Sequence, residues 1–319
     1  MNNILGMKKI LGVKKIHKPA GIAALVFGIM GLSAVQVSAQ GKLQLERVLP
    51  LDGPEFIQPS GLAMAGKNTL LMVSGTQDDE VFQVDLAAAA DKAVYKEFLK
   101  IRRPKDAEGL KLAWKGIAVD GKDDLILLSG SACRMLKVAS NGKSEWEGPG
   151  LLESGVEKGL FAGENSGAEG IAAVGEGKFL VAASREPRGL LRVNLAGAKP
   201  AINAFQLDKS RIPLPAGRRK PDFTDLAQDQ GGTWALEAAA DAVCLLKWGG
   251  QDYSEGEYWT FGDVANDPKY RYMGLKMGLA RGLAIDAHSI YVVLDNKGVA
   301  RQSDSADKRP LLLVFKRPH

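Results

Sequence analysis

The chain has 319 residues with 42 Lys and Arg, 37 Asp and Glu, only 3 His and 2 Cys, a formal charge of +5 and a pI near 9.0. Five of the lysines (Lys8, Lys9, Lys14, Lys15 and Lys18) and no acid fall in residues 1–39, so the remainder balances at 42 − 5 = 37 bases against 37 acids. That balance removes the compositional case for nucleic-acid binding, and two cysteines are too few for a disulfide framework.

The first element is an export signal. The lysines form a positive n-region, Ala20 to Val35 an apolar h-region, and Val37-Ser38-Ala39 supplies the small residues that a signal peptidase needs. The apolar run is short for a membrane anchor, and no Cys follows it as a lipoprotein would require. The expectation is cleavage before Gln40 and a protein placed in the periplasm or outside the cell, with no membrane span, with residues 40–319 forming one domain.

The next element is a repeat. Ser60-Gly61-Leu62-Ala63, Lys115-Gly116-Ile117-Ala118, Glu169-Gly170-Ile171-Ala172, Asp225-Leu226-Ala227 and Arg281-Gly282-Leu283-Ala284 recur at positions 61, 116, 170, 226 and 282, spaced by 55, 54, 56 and 56 residues. A fixed period of this length in strand-rich sequence predicts propeller blades. Each repeat reads as four strands. In the third they are "EGIAAV", "FLVAA", "LLRVNL" and "AINAFQL", parted by Gly-, Asp- and Asn-bearing turns. In the first, "LAAAADKAVYKEFLK" has helical composition, but its end is taken as strand D.

The fold expected is therefore all-β, a five-bladed β-propeller with blades of about 55 residues, six blades being the alternative. From Gly282 onward only three strands remain, ending in "RPLLLVFKRP". The fourth is expected from "KLQLERVLPL" at the mature N-terminus, which would close the ring and cover an open edge. Cys133 and Cys244 both fall in strand C of their repeats, in blades two and four. Those blades are not neighbours, so no bridge between the two is expected.

The end of the ring where strand A begins and strand B finishes collects the chemistry. Its innermost positions are Ser60, Lys115, Glu169, Asp225 and Arg281, followed by Asp78, Asp79, Ser129, Ser131, Ser184, Arg185, Glu186, Glu237, Asp295 and Asn296 in the loops between strands B and C. Two cations and two carboxylates converging there can be a polar pocket or a mutually neutralising plug. Basic loops join the same end: Arg102, Arg103 and Lys105; Arg218, Arg219 and Lys220; Arg301, Lys308 and Arg309. Such clusters suit an anionic small molecule. The ligand-binding candidates are Ser60, Lys115, Arg185, Arg218, Arg219, Arg281 and Asn296.

Several chemistries are excluded. Past the signal only His288 and His319 remain, and there is no Gly-x-Ser-x-Gly elbow, P-loop or dinucleotide fingerprint. Hydrolysis would fall to carboxylates, with Glu169 and Asp225 as catalytic candidates. Calcium is the candidate cation, held by Glu169, Asp225, Glu237 and Asp295, although Lys115 and Arg281 would oppose it.

The strings "AEGIAAVGEGKFLVAASREPRGLLRVNL", "FTDLAQDQGGTWALEAAADAVCLLKW" and "RGLAIDAHSIYVVLDNKG…RPLLLVFKRP" resemble successive blades of the bacterial "esterase-like activity of phytase" propeller family, over about residues 160–318. The resemblance implies phosphoester or ester hydrolysis. Arg281 stands where such blades place Glu, a departure at the family-type cation site. Two functions follow: a secreted hydrolase of an anionic (phospho)ester, or a non-catalytic envelope propeller that binds a ligand or a protein partner. A monomer is expected.

Overall fold

The computed structural model describes residues 40–54, 56–121, 124–163, 166–207, 209–218, 220–275 and 279–318. Residues 1–39, which carry the export reading, lie outside the described residues, and so does Arg219.

The described strands form five antiparallel four-stranded blades. Two N-terminal strands, β1 (Gln40–Lys42) and β2 (Gln44–Asp52), precede them. Blade one is β3 (Pro59–Gly66), β4 (Thr69–Ser74), β5 (Glu80–Asp85) and β6 (Ala93–Lys100). Blade two is β7 (Trp114–Val119), β8 (Leu125–Ser129), β9 (Arg134–Val138) and β10 (Ser144–Glu147), after which comes the short helix α1 (Leu152–Glu157). Blade three is β11 (Ala168–Gly175), β12 (Lys178–Ala183), β13 (Gly189–Asn194) and β14 (Ala201–Gln206). Blade four is β15 (Asp225–Asp229), β16 (Gly232–Glu237), β17 (Ala242–Trp248) and β18 (Tyr253–Thr260), and α2 (Gly262–Ala265) leads on from it. Blade five is β19 (Ala280–Ile285), β20 (Ser289–Leu294) and β21 (Leu311–Lys316).

The closing strand comes from the N-terminus, as expected. β2 pairs antiparallel with β21, with Leu49 opposite Leu312 and Gln44 opposite Lys316. The innermost strands β3, β7, β11, β15 and β19 touch in a cycle, the last returning to the first.

Why these residues make blades is visible in the middle strands. Blades stack face to face, so strand B is buried on both sides and reads as an apolar run such as "LILL". Strand C does the same in blade five, "LLLVF", while β5, β9 and β13 interrupt it with Gln83, Lys137 and Arg192. Successive side chains point to opposite faces. Leu125 and Leu127 enter the core shared with blade one, while Ile126 and Leu128 enter the core shared with blade three. Five such cores exist, one per pair of neighbours, and this sandwiching holds the ring together.

The "LAAAADKAVYKEFLK" segment does end as a strand, β6. One placement differs: Cys133 lies in the turn just before β9, whereas Cys244 is within β17. Both are free and buried, in different cores.

Candidate functional site

The innermost strands converge so closely that the repeat's glycines are obligatory. A Cβ on Gly170 would lie 2.4 Å from the Asp225 Cα, one on Gly61 2.7 Å from the Gly116 Cα, and one on Gly116 2.9 Å from the Ile171 nitrogen. Asp225 is the exception that fills the axis. Its strand pairing matches the glycines and not the rim residues: Asp225 is opposite Leu236 as Gly61 is opposite Val73 and Gly170 is opposite Ala182. Thr224 holds the rim position of blade four. Its hydroxyl bonds Leu236 O at 3.4 Å, as Ser60 bonds Val73 O at 3.2 Å.

Asp225 therefore moves from the rim, where the sequence pattern puts it, to the centre of the ring. Its carboxylate accepts amide hydrogens from Leu283 at 2.7 Å, Leu226 at 2.9 Å and Leu62 at 3.3 Å, and Ile171 also donates to it. Those amides belong to blades five, four, one and three, so one carboxylate ties four blades. Complete burial pushes its pKa well up, while the amide donors pull it down. Below it the channel holds only 120 Å³ and is lined by the mostly apolar residues 62–64, 117–119, 171–173, 226–228 and 283–285. Asp225 is a sealed structural tie, which removes it from both the catalytic and the metal set.

At the mouth, the other predicted charges do come together. Lys115 Nζ lies 3.4 Å from Glu169 Oε2. Burial raises the Asp295 pKa, opposed by an amide hydrogen from Lys297 and by the charges of Arg281, Lys297 and Lys115. Each carboxylate here has a cation. Ser60 is committed to its own blade. Asn296 is fully buried and organises its loop, donating to Val299 O at 2.8 Å and Lys308 O at 2.6 Å.

The basic loops are largely paired from within, although Arg218 Nη1 and Arg301 Nε are buried and meet no hydrogen-bond partner among the described residues. Arg103 pairs with Asp79, Arg218 with Asp241 at 2.7 Å, Arg185 with Asp222 at 3.8 Å, and both Arg301 and Arg309 with Asp307. A calcium set of Glu169, Asp225, Glu237 and Asp295 does not form. Among the described residues no group of three of His, Cys, Asp and Glu is placed to hold a metal ion, and these four carboxylates face different partners. The residues do not fit the cation the sequence suggested.

A cluster with two such unsatisfied groups lies off the axis, at the seam of blades three and four, and centres on Arg188. This arginine is 2% exposed and sits in the loop between β12 and β13. Its guanidinium stacks 4.2 Å from the Phe223 ring. Nε donates to Leu207 O at 2.9 Å, and Nη1 donates to Glu237 Oε2 at 2.7 Å and to Glu255 Oε1 at 2.6 Å. Ser210 Oγ stands 3.2 Å from the same two carboxylate oxygens. One cation thus serves two buried carboxylates. Burial pushes the Glu237 pKa up to about 8, with Arg188 opposing and Glu255 and Asp222 adding to the rise.

Two polar atoms in this cluster, Arg188 Nη2 and Glu237 Oε1, are buried and meet no hydrogen-bond partner among the described residues. Leaving such groups unpaired costs about 1–3 kcal/mol each. Beside them opens a cavity of 450 Å³ lined by Glu186, Pro187, Arg188, Lys220 and Pro221. That volume falls within the range of small-molecule pockets. Sequence reasoning named Arg185, Glu186, Glu237 and Lys220 but missed Arg188 and Glu255. The available signal was weak: Glu255 is one of two glutamates in the strand "YSEGEYWT", and only the structure shows it to be the buried one.

No family model matches the sequence, and no curated protein matches it. Solved structures similar to this chain include virginiamycin B lyase from Staphylococcus aureus, at 10% identity and a TM-score of 0.41 over 81% of this chain. The alignment spans 66% of that lyase's length. Another is glutaminyl cyclase from Myxococcus xanthus, at 12% identity and a TM-score of 0.49 over 88% of this chain and 100% of that one. A third is a gluconolactonase from Xanthomonas campestris, at 10% identity and a TM-score of 0.44 over 85% and 98%. Likeness at this level carries no argument about activity.

Proposed function

We propose that this is an exported propeller, periplasmic or extracellular, that binds a small organic anion in the pocket at the seam of blades three and four. The observation that carries the reading is Arg188. It is a buried guanidinium with an unused donor beside a pocket that Lys220 also lines. A carboxylate or phosphate oxygen would satisfy Arg188 Nη2. Lys220 is the adjustable partner, 74% exposed and only 3.4 Å from Glu186.

The test is calorimetric titration of residues 40–319 with a panel of hydroxylated carboxylates and sugar phosphates, against neutral sugars as controls. At least one anion should bind, and Lys220→Met should weaken it roughly tenfold, the loss of one exposed-to-bound ion pair. Binding of neutral sugars with equal strength, or of nothing, would exclude the reading.

Hydrolysis is the second reading. It is favoured by Glu237, the carboxyl beside Arg188 whose pKa burial pushes up, toward the range of a general acid. The phytase-like resemblance supports it too. Turnover of a nitrophenyl phosphate or ester, lost in Glu237→Gln and unaffected by chelator, would establish it over simple binding.

A further inference from the structure

The outer edges of the blades are treated unequally. In blades one and five, β6 and β2 cover each other through parallel pairing of Leu51 with Ala93 and Asp52 with Val94. In blade four, β1 adds in parallel to β18. In blade two, the chain at Arg102 bridges to Lys143 at the start of the outer strand. In blade three, nothing among the described residues pairs with β14 except β13.

Composition makes the contrast sharper. Edge strands are normally guarded by charge, proline or a bulge. β2, β6, β10 and β18 all carry charged residues, whereas β14, Ala-Ile-Asn-Ala-Phe-Gln, carries none. Its pairing with β13 is regular from end to end, with no bulge. An uncharged, unbulged strand whose outer edge has no partner among the described residues is a template for another strand.

A groove of 310 Å³ runs over this edge. Ile202 to Phe205 form its floor, Ser154, Glu157 and Lys158 one wall, and Gln251 and Asp252 the other. The first wall comes from the connection after blade two and the second from blade four, so the walls stand on opposite sides of the blade between them. Gln206 fixes the first wall by donating to Lys158 O at 2.5 Å. The helix of that wall also exposes Leu152 and Val156, and Trp248 is exposed beside Phe205.

We propose that the edge of β14 takes up an extended segment of a partner protein by strand addition, with apolar side chains alternating along it and a basic residue facing Asp252, the wall without a cation. The walls admit one extended chain and exclude a second copy of the blade, which would bring its own walls. The molecule already performs the same operation next door, where Gln40 to Lys42 lie along β18. The proposal is independent of the anion pocket.

The probe is an acetylated, amidated peptide copying residues 40–45, Gln-Gly-Lys-Leu-Gln-Leu, which is extended, alternately apolar and singly basic. It should bind the full mature chain and slow amide exchange in residues 201–206. Asn203→Lys places a charge on the exposed edge and should weaken binding roughly tenfold or more while leaving the melting temperature in place. A peptide with proline at the position of Leu43 should not bind, because it lacks the donor and the strand geometry. Absence of binding at about 1 mM peptide, equal binding by Asn203→Lys, or exchange protection elsewhere would overturn the proposal. So would a concentration-dependent dimer abolished by Asn203→Lys, since the occupant would then be a second copy.

Discussion

The seams between blades five and one and between blades three and four are built on the same plan and used differently. The first joins the two ends of the chain. Its core is wholly apolar, with Leu49, Leu51, Leu312 and Val314 packed against Leu70, Met72 and Phe82. One ion pair at its edge, Lys92 with Asp52, is about 40% exposed on both sides and contributes little. The second seam has an apolar core too, but is capped by Arg188, Glu237 and Glu255, all 3% exposed or less. Buried charges of this kind seldom add net stability relative to apolar residues. The first seam also borders a cavity, of 490 Å³ and lined in part by Leu51, Tyr95, Asp307 and Arg309. The seam whose buried charges lie two carboxylates to one cation is nonetheless the one where function is sought.

The largest effect should come from opening the first seam. Removing residues 40–51 takes away β1 and most of β2 and leaves β21 as a bare edge. The truncated protein should aggregate or lose its cooperative melt in size-exclusion and thermal unfolding. A monomer of unchanged stability would break the comparison at its root.

Next comes the loss of Arg188. Arg188→Met strands two buried carboxylates and should cost about 3–5 kcal/mol in denaturant unfolding. Removing Leu312 of the first seam by Leu312→Ala should cost a similar amount, about 2–5 kcal/mol, through its cavity. The difference lies in rescue. Adding Glu237→Leu and Glu255→Leu should restore much of the Arg188→Met loss, and no charge change should rescue Leu312→Ala.

A smaller, pH-dependent effect isolates Glu237. A carboxyl whose folded pKa is raised binds more protons folded than unfolded, so stability falls as pH rises and the charged form must be buried. The fall should lie between the ordinary value of 4.5 and about 8. Glu237→Gln should flatten the stability profile in that window, and an unchanged slope would place the proton elsewhere.

The smallest effect belongs to the mouth. The Lys115 side chain is 32% exposed and that of Glu169 10%, at 3.4 Å, so Glu169→Gln should cost about 1–2 kcal/mol, between an exposed pair and a fully buried one. That is less than the buried-plug reading of the sequence would require.

Much of this architecture was legible because it is periodic. The ring needs one glycine per blade where the inner strands meet, and four of them stand at positions 61, 116, 170 and 282. The closing strand was legible from the three strands left after Gly282. Asp225 was misplaced by one residue because blade four lacks the glycine, so alignment on the polar residue slipped its register. The site was less legible for a different reason. Its contacts join residues far apart in the chain, Arg188 to Glu237 over 49 residues and to Glu255 over 67. Composition showed basic loops, but it could not show that most of them are neutralised by acids from other loops.

The central claim is that the charged seam is kept for a ligand and not for the fold. The direct measurement is the thermal shift given by the strongest-binding anion, in the wild type and in the triple variant Arg188→Met, Glu237→Leu, Glu255→Leu. The account predicts that the variant unfolds at or near the wild-type temperature and shows no shift with the anion. A variant that is strongly destabilised yet keeps the full anion-dependent shift would contradict it.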